Sequence, residues 1–171
     1  EDHVAVSPFD SSRVVIRARL FDSEGNPVGD EILVSSSDQI CARPAVAAAQ
    51  SGGFTVVWNQ KEPMSSNSWD VYAKSFDAQA SAAGEAFRVN KHTFRDQHTP
   101  SISKLGGHQL VVCTSIGQDG SREGVFGRLL SPAGFASDEF QVNTTSVSQQ
   151  IHPVTVSAGA DKSVVSWSSY V

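Results

Sequence analysis

The chain has 171 residues, with 18 acidic against 13 basic side chains, a formal net charge of −5 and a pI near 5.4. That length suits one domain or a short repeat array and is enough to bury a core. The Lys and Arg residues are scattered, so no basic surface attracts nucleic acid, and no run approaches the ~18 apolar residues of a membrane span. The chain opens on Glu1 without a methionine, as a processed chain or a piece of a longer one would. Plentiful Ser, Thr, Ala and Gly with sparse Lys fit an extracellular β protein, secreted or at a cell surface.

Residues 1–10 hold a short alternating piece around Val4 and Val6. Arg13–Asp22, RVVIRARLFD, alternates as a strand; the turn 23–29, SEGNPVG, and the short strand 31–34, EILV, follow. Pro44–Trp58, PAVAAAQSGGFTVVW, reads as a hairpin with Gly52-Gly53 at its tip. The stretch 59–69, NQKEPMSSNSW, reads as an exposed loop. The series then recurs: strand 71–77 (VYAKSFD), turn 78–84, strand 85–90 (EAFRVN), and a hairpin at Pro100–Cys113. It recurs again as 125–131 (VFGRLLS), turn 132–138, 139–143 (EFQVN) and a hairpin at Pro153–Trp167. The landmarks step evenly: Ile16 to Val71 is 55 residues, Val71 to Val125 is 54, Trp58 to Cys113 is 55 and Cys113 to Trp167 is 54. No window has helical apolar spacing.

The chain is therefore expected to be all-β: a single domain over 1–171, built of about three four-stranded antiparallel repeats with a period of about 54 residues. The units run roughly 1–43 (incomplete), 44–90, 100–143 and 153–171 (incomplete). Such units suit β-propeller-like blades, with the proline strand innermost. About thirteen strands make little more than three blades, whereas closed propellers usually have ~4–8, so the array is partial or assembled from several chains. A β-trefoil is the alternative, since it also uses three four-stranded repeats. Val46, Val56, Trp58, Ile102, Val112, Cys113, Val156, Val165 and Trp167 are expected to be buried, with Trp58, Cys113 and Trp167 packing between neighbouring units.

The motifs DVYAKSFD (70–77), GEAFRVN (84–90), QHTP (97–100) and GGFTVVW (52–58), echoed in DEFQVN and QIHP, carry a resemblance over almost the whole chain. They resemble tandem four-stranded repeats of large secreted and cell-surface proteins, mostly bacterial. The resemblance implies an extracellular repeat module with a propeller-like fold, and it implies no reaction.

Candidate sites are few. Arg19, Lys74 and Arg128 lie in register, as do Glu31, Glu85 and Glu139, and a hairpin would pair them as repeated structural ion pairs or, on a functional reading, as repeated ligand sites. His3, His92, His98, His108 and His152 lack metal-ligand spacing, so no metal and no cofactor is expected. No nucleophile elbow is present and no catalytic set can be assembled, so the chain reads as non-enzymatic. Cys41 and Cys113 leave a disulfide open. Asn143-Thr144-Thr145 is an N-glycosylation sequon, expected on the surface after a unit's last strand. Trp69, Tyr72 and Phe126 are expected to be exposed near one end of the units, which motivates the alternative function, a propeller-type carbohydrate-binding lectin with glycans as partners. The leading expectation is a structural or adhesive building block. It would self-associate, or join other chains of its assembly, through edge strands into a ring or a filament.

Overall fold

The computed structural model describes residues 14–36, 39–61 and 68–170. No helix occurs among them; thirteen strands form antiparallel sheets. β1 (Arg17–Phe21) and β2 (Pro27–Leu33) make a two-stranded sheet. β3 (Ile40–Ala48), β4 (Phe54–Lys61), β5 (Asp70–Phe76) and β6 (Phe87–Arg88) follow as a four-stranded meander. β7 (Gln97–Leu105), β8 (His108–Ile116) and β9 (Glu123–Ser131) repeat that order, and β9 is closed by the short β10 (Gly134–Phe135) and β11 (Phe140–Gln141). β12 (Gln150–Ser157) and β13 (Ser163–Ser169) form the last pair. The expected strand in residues 1–10 and residues 62–67 of the expected loop lie outside the described residues. Residues 59–61 of that loop instead continue β4.

The strand period places apolar side chains on both faces of the middle sheets, so each sheet is covered by its neighbours in chain order. Ile16 and Val34 pack on Cys41, Val56, Trp58 and Phe76. Val57, Val71, Ala73 and Val89 pack on Ile102, Val111, Cys113 and Leu130. Leu110, Val112 and Val125 meet Val165. Of the residues expected to be buried, Val56, Trp58, Ile102, Val112 and Cys113 are, and Val165 is half-buried. Val46, Val156 and Trp167 are not: they are 62%, 60% and 37% exposed. Val46 lies on β3 facing the two-stranded β1–β2 sheet, which leaves an open groove over it, and Val156 lies on β12, whose outward face has no described sheet against it. Trp167 lies beside the open edge of β13 and lacks the third strand that covers Trp58.

The turns repeat with the strands. Asp22 accepts backbone hydrogen bonds from Glu24 and Asn26 at 2.9 and 2.8 Å, and Asp77 does the same for Gln79 and Ser81 at 2.9 and 2.8 Å. These are side-chain turns, and they set where each third strand ends. In the β3–β4 hairpin, a Cβ at Gly53 would run into the Phe76 carbonyl oxygen. Phe54 and Phe76 stack beside it, 4.9 Å apart. Gly53→Ala is expected to cost about 1–3 kcal/mol through forced backbone shifts. Urea unfolding measures it, and an unchanged midpoint would show that the hairpin tolerates the methyl group.

Candidate functional site

Each inner strand carries an irregularity at the same place. The pairing register slips between Ala42 and Ala45, between His98 and Ser101, and between Ile151 and Val154. The residue before each proline, Arg43, Thr99 or His152, sits in the left-handed region at φ 52°, 54° and 56°. A residue before proline is normally extended, and left-handed non-glycine residues are uncommon and strained. Bulges turn a side chain away from the alternation of its strand, so three side chains of the inner strands are re-aimed in one row.

Neighbouring sheets hold this row in place. The Asn59 side-chain oxygen accepts the Thr99 backbone N–H at 3.1 Å, and the Thr114 hydroxyl accepts that of His152 at 3.3 Å. Asn59 and Thr114 occupy the same place, one residue after Trp58 and Cys113; Ser168 follows Trp167 likewise. Arg43 Nη1 donates to Thr99 Oγ1 at 3.1 Å, and His98 Nδ1 shares a 2.9 Å hydrogen bond with that hydroxyl. Burial and then the Arg43 guanidinium push the His98 imidazole below its usual range. The native state therefore resists a proton that the unfolded state takes up near its ordinary pKa of 6.5. Stability is expected to be full above that pH and to fall as the pH drops from there toward the depressed native value. His98→Gln should flatten this part of the profile, as thermal melts between pH 5 and pH 8 would reveal; an unaltered slope would place the loss elsewhere.

The expected site residues are placed differently. Asn143, expected on the surface, is 4% exposed. Its side-chain oxygen accepts the Val125 backbone N–H at 2.7 Å and its amide donates to the Thr145 carbonyl at 3.0 Å. A glycan would take one of the two hydrogens of that buried nitrogen, the other already donating to Thr145. Asn90 holds the Val71 N–H at 2.8 Å in the same way, and the Ser35 hydroxyl holds that of Ile16 at 2.9 Å. The sequon asparagine thus belongs to a repeated clasp, which the register of Ser35, Asn90 and Asn143 could have revealed.

The expected ion pairs do not form among the described residues. Arg17, not Arg19, meets Glu31 at 3.4 Å, with both side chains 56% exposed. Arg128 lies over the Phe135 ring and donates to the Val89 carbonyl at 2.8 Å. Glu139 accepts from the backbone of Lys91 and His92 in the loop after β6, both at 3.2 Å, and from Gln118 at 2.7 Å. Nor do the aromatics form an exposed platform: Phe126 is buried, Trp69 is half-buried, and Tyr72 is half-buried with its ring 6.3 Å from that of Trp58. Cys41 and Cys113 are buried thiols, and burial pushes the Cys113 thiol up to about 12. No cluster of metal-ligating side chains occurs among the described residues.

Two open grooves lie at the ends of the stack. One, of about 370 Å³, lies between β1 and β3–β4, with Val46 on its floor. The other, of about 350 Å³, runs along β13 from Asn143 to Trp167 and Ser169. Beyond it, the outward face of the last pair exposes Val154 (59%), Val156 (60%) and Val164 (53%).

No protein-family model matches the chain, and no curated protein matches it. Among solved structures, its fold is similar to that of an alpha-L-arabinofuranosidase from Lactobacillus brevis, with a TM-score of 0.55 at 12% sequence identity. The likeness covers 83% of this chain and 48% of that one, so the chain spans about half the length of that structure. At this identity the likeness is one of fold.

Proposed function

We propose that the chain is a non-catalytic extracellular structural or adhesive module that associates with copies of itself, and that its sheets are blades of a β-propeller-like array. The observation that carries this reading is the exposed valine face of the last strand pair, Val154, Val156 and Val164, with Val46 exposed in the groove between β1 and β3–β4. Contiguous apolar surface beside an open strand edge favours a protein partner. The sequential order of the strands in the two complete sheets supports the blade reading over the trefoil. The resemblance to secreted repeats and the composition support the extracellular placement. Sedimentation velocity over a wide concentration range tests the association: the sedimentation coefficient should rise with concentration, and a single unchanging 18.2 kDa species would contradict it.

A second reading, a carbohydrate-binding module, is favoured by the row of Arg43, Thr99 and His152 with the adjoining His98, which presents polar side chains on strained backbone. A glycan array showing binding that Arg43→Ala abolishes would support this reading; no binding on the array would remove it.

A further inference from the structure

We infer that the groove between the two complete sheets binds a primary ammonium group carried on a short apolar stem. The groove holds about 360 Å³, within the ~300–1,000 Å³ of small-ligand sites. One wall is the end of β5 with the segment that leads into β6; the other is the start of β8 with the end of β9. All of it lies in the two complete sheets and their turns, so the site is independent of the proposed self-association.

Strand alternation decides what faces the groove. Val57 and Ala73 pack toward the second complete sheet and Phe76 packs toward β1–β2, so Thr55 and Ser75 share the groove side of their strands. Their hydroxyls lie 2.9 Å apart, and Phe87 and Leu130 supply the apolar floor. Gln109, 8% exposed, donates from Nε2 to the Ala47 and Ala48 carbonyls, both at 3.2 Å. Both neighbours accept, so the amide lies this way round, and its oxygen is left as an acceptor in the groove. Asp77 and Glu85 stand at the exposed rim, with His108 opposite.

The repeat itself shows that these carboxylates are unspent. Asp22 and Asp77 hold the same turn through Oδ1, but Asp22 Oδ2 also takes the Asn26 amide at 3.1 Å. Ser81 replaces that asparagine, and Asp77 Oδ2 has no partner among the described residues. In the matching register, Glu31 meets Arg17 and Glu139 takes three hydrogen bonds, whereas Glu85 makes none among the described residues. The cations of the adjoining strands are held elsewhere. Lys74 lies over Phe76 on the far face, Arg88 meets Asp70 at 3.8 Å, and Arg128 is bound to Phe135 and the Val89 and Ser137 carbonyls. No lysine or arginine lines the groove. Accepting oxygens and negative charge above an apolar floor match an ammonium, which has three donors and no acceptor; a carboxylate or phosphate would be repelled.

The test is an NMR titration of the whole chain with pentylamine, with 1-pentanol as the uncharged counterpart. Pentylamine should shift the backbone amides of Gly107, Gln109 and Gly134 saturably, at one equivalent per chain. 1-Pentanol should bind at least ~10-fold more weakly, and added salt should weaken the amine but not the alcohol. Asp77→Asn combined with Glu85→Gln removes both charges and keeps the oxygen that holds the turn. This variant should melt as the natural chain does and bind pentylamine ~10-fold more weakly. Nα-acetyl-lysine-methylamide and cadaverine separate the sources: tighter binding of the first points to a lysine of a partner protein, of the second to a free diamine. Equal binding of pentylamine and 1-pentanol would overturn the assignment, as would methyl glucoside saturating the groove where pentylamine does not. Unsaturable shifts scattered over the surface would show only attraction to the net charge of −5 and would overturn the site. None of these outcomes bears on self-association, which sedimentation reads separately.

Discussion

Replacing Trp58 by Ala is expected to lower the unfolding free energy by about 3–5 kcal/mol. The indole is fully buried, its Nε1 donates to Gln60 Oε1 at 3.1 Å, and it lies among Ile16, Val34, Cys41, Val56 and Phe76. Removing it leaves a cavity between two sheets that the flat strands cannot close, and strands Gln60 Oε1 in a buried position. The matching Trp167 donates to Gln150 Oε1 at the same 3.1 Å, but it is 37% exposed. In the dissociated chain Trp167→Ala should therefore cost about three-fifths as much, in proportion to the smaller area removed from water. Chemical denaturation of both variants at low protein concentration measures the contrast. Equal losses would mean that the two tryptophans do not differ in cover.

The second large effect is expected at Asn90. Its side chain is 4% exposed. The oxygen takes the Val71 N–H at 2.8 Å, while the amide donates to Asp70 Oδ1 at 2.7 Å, the His92 carbonyl at 2.6 Å and Gln97 Oε1 at 3.2 Å. Asn90→Ala leaves the fully buried Val71 amide and the Gln97 oxygen without these partners. With about 1–3 kcal/mol for each of these two orphaned buried groups, the loss should be roughly 2–6 kcal/mol. Asn90→Ser should recover part of it, because Ser35 does the same work with a hydroxyl at 2.9 Å from the Ile16 amide. A stability unchanged in Asn90→Ala would show that the clasp contributes nothing.

Strands and their repeat were legible because period-two alternation and the even spacing of Ile16, Val71 and Val125 are properties of the chain alone. Burial was legible only where the chain also supplies the cover. Val56 and Ile102 sit under sheets that the sequence contains, whereas Val46 and Val156 show the same alternation and nothing in the sequence marks their neighbours as absent. The left-handed residues Arg43, Thr99 and His152 were missed because none is a glycine and the proline that follows each one ordinarily favours an extended residue. Asn143 was misplaced because a sequon after a short strand reads as surface, while its side chain in fact completes the backbone pairing of β9. The ion pairs failed for a geometric reason. Equal spacing of Arg128 and Glu139 within the repeat does not place them opposite each other; Arg128 instead reaches an aromatic ring and a carbonyl of the preceding sheet, and Glu139 the amides beyond it.

The central claim is that the edges of β1 and β13 that are open among the described residues pair with another copy. The most direct measurement is hydrogen exchange along β13 and β1 at low and high protein concentration. Amides of β13 that point away from β12, and those of β1 that point away from β2, have no strand partner among the described residues and should exchange freely in the dilute chain. They should become protected as concentration rises, while the already paired amides of β4 and β8 stay protected throughout. Exchange at these two edges that is the same at both concentrations would contradict the account.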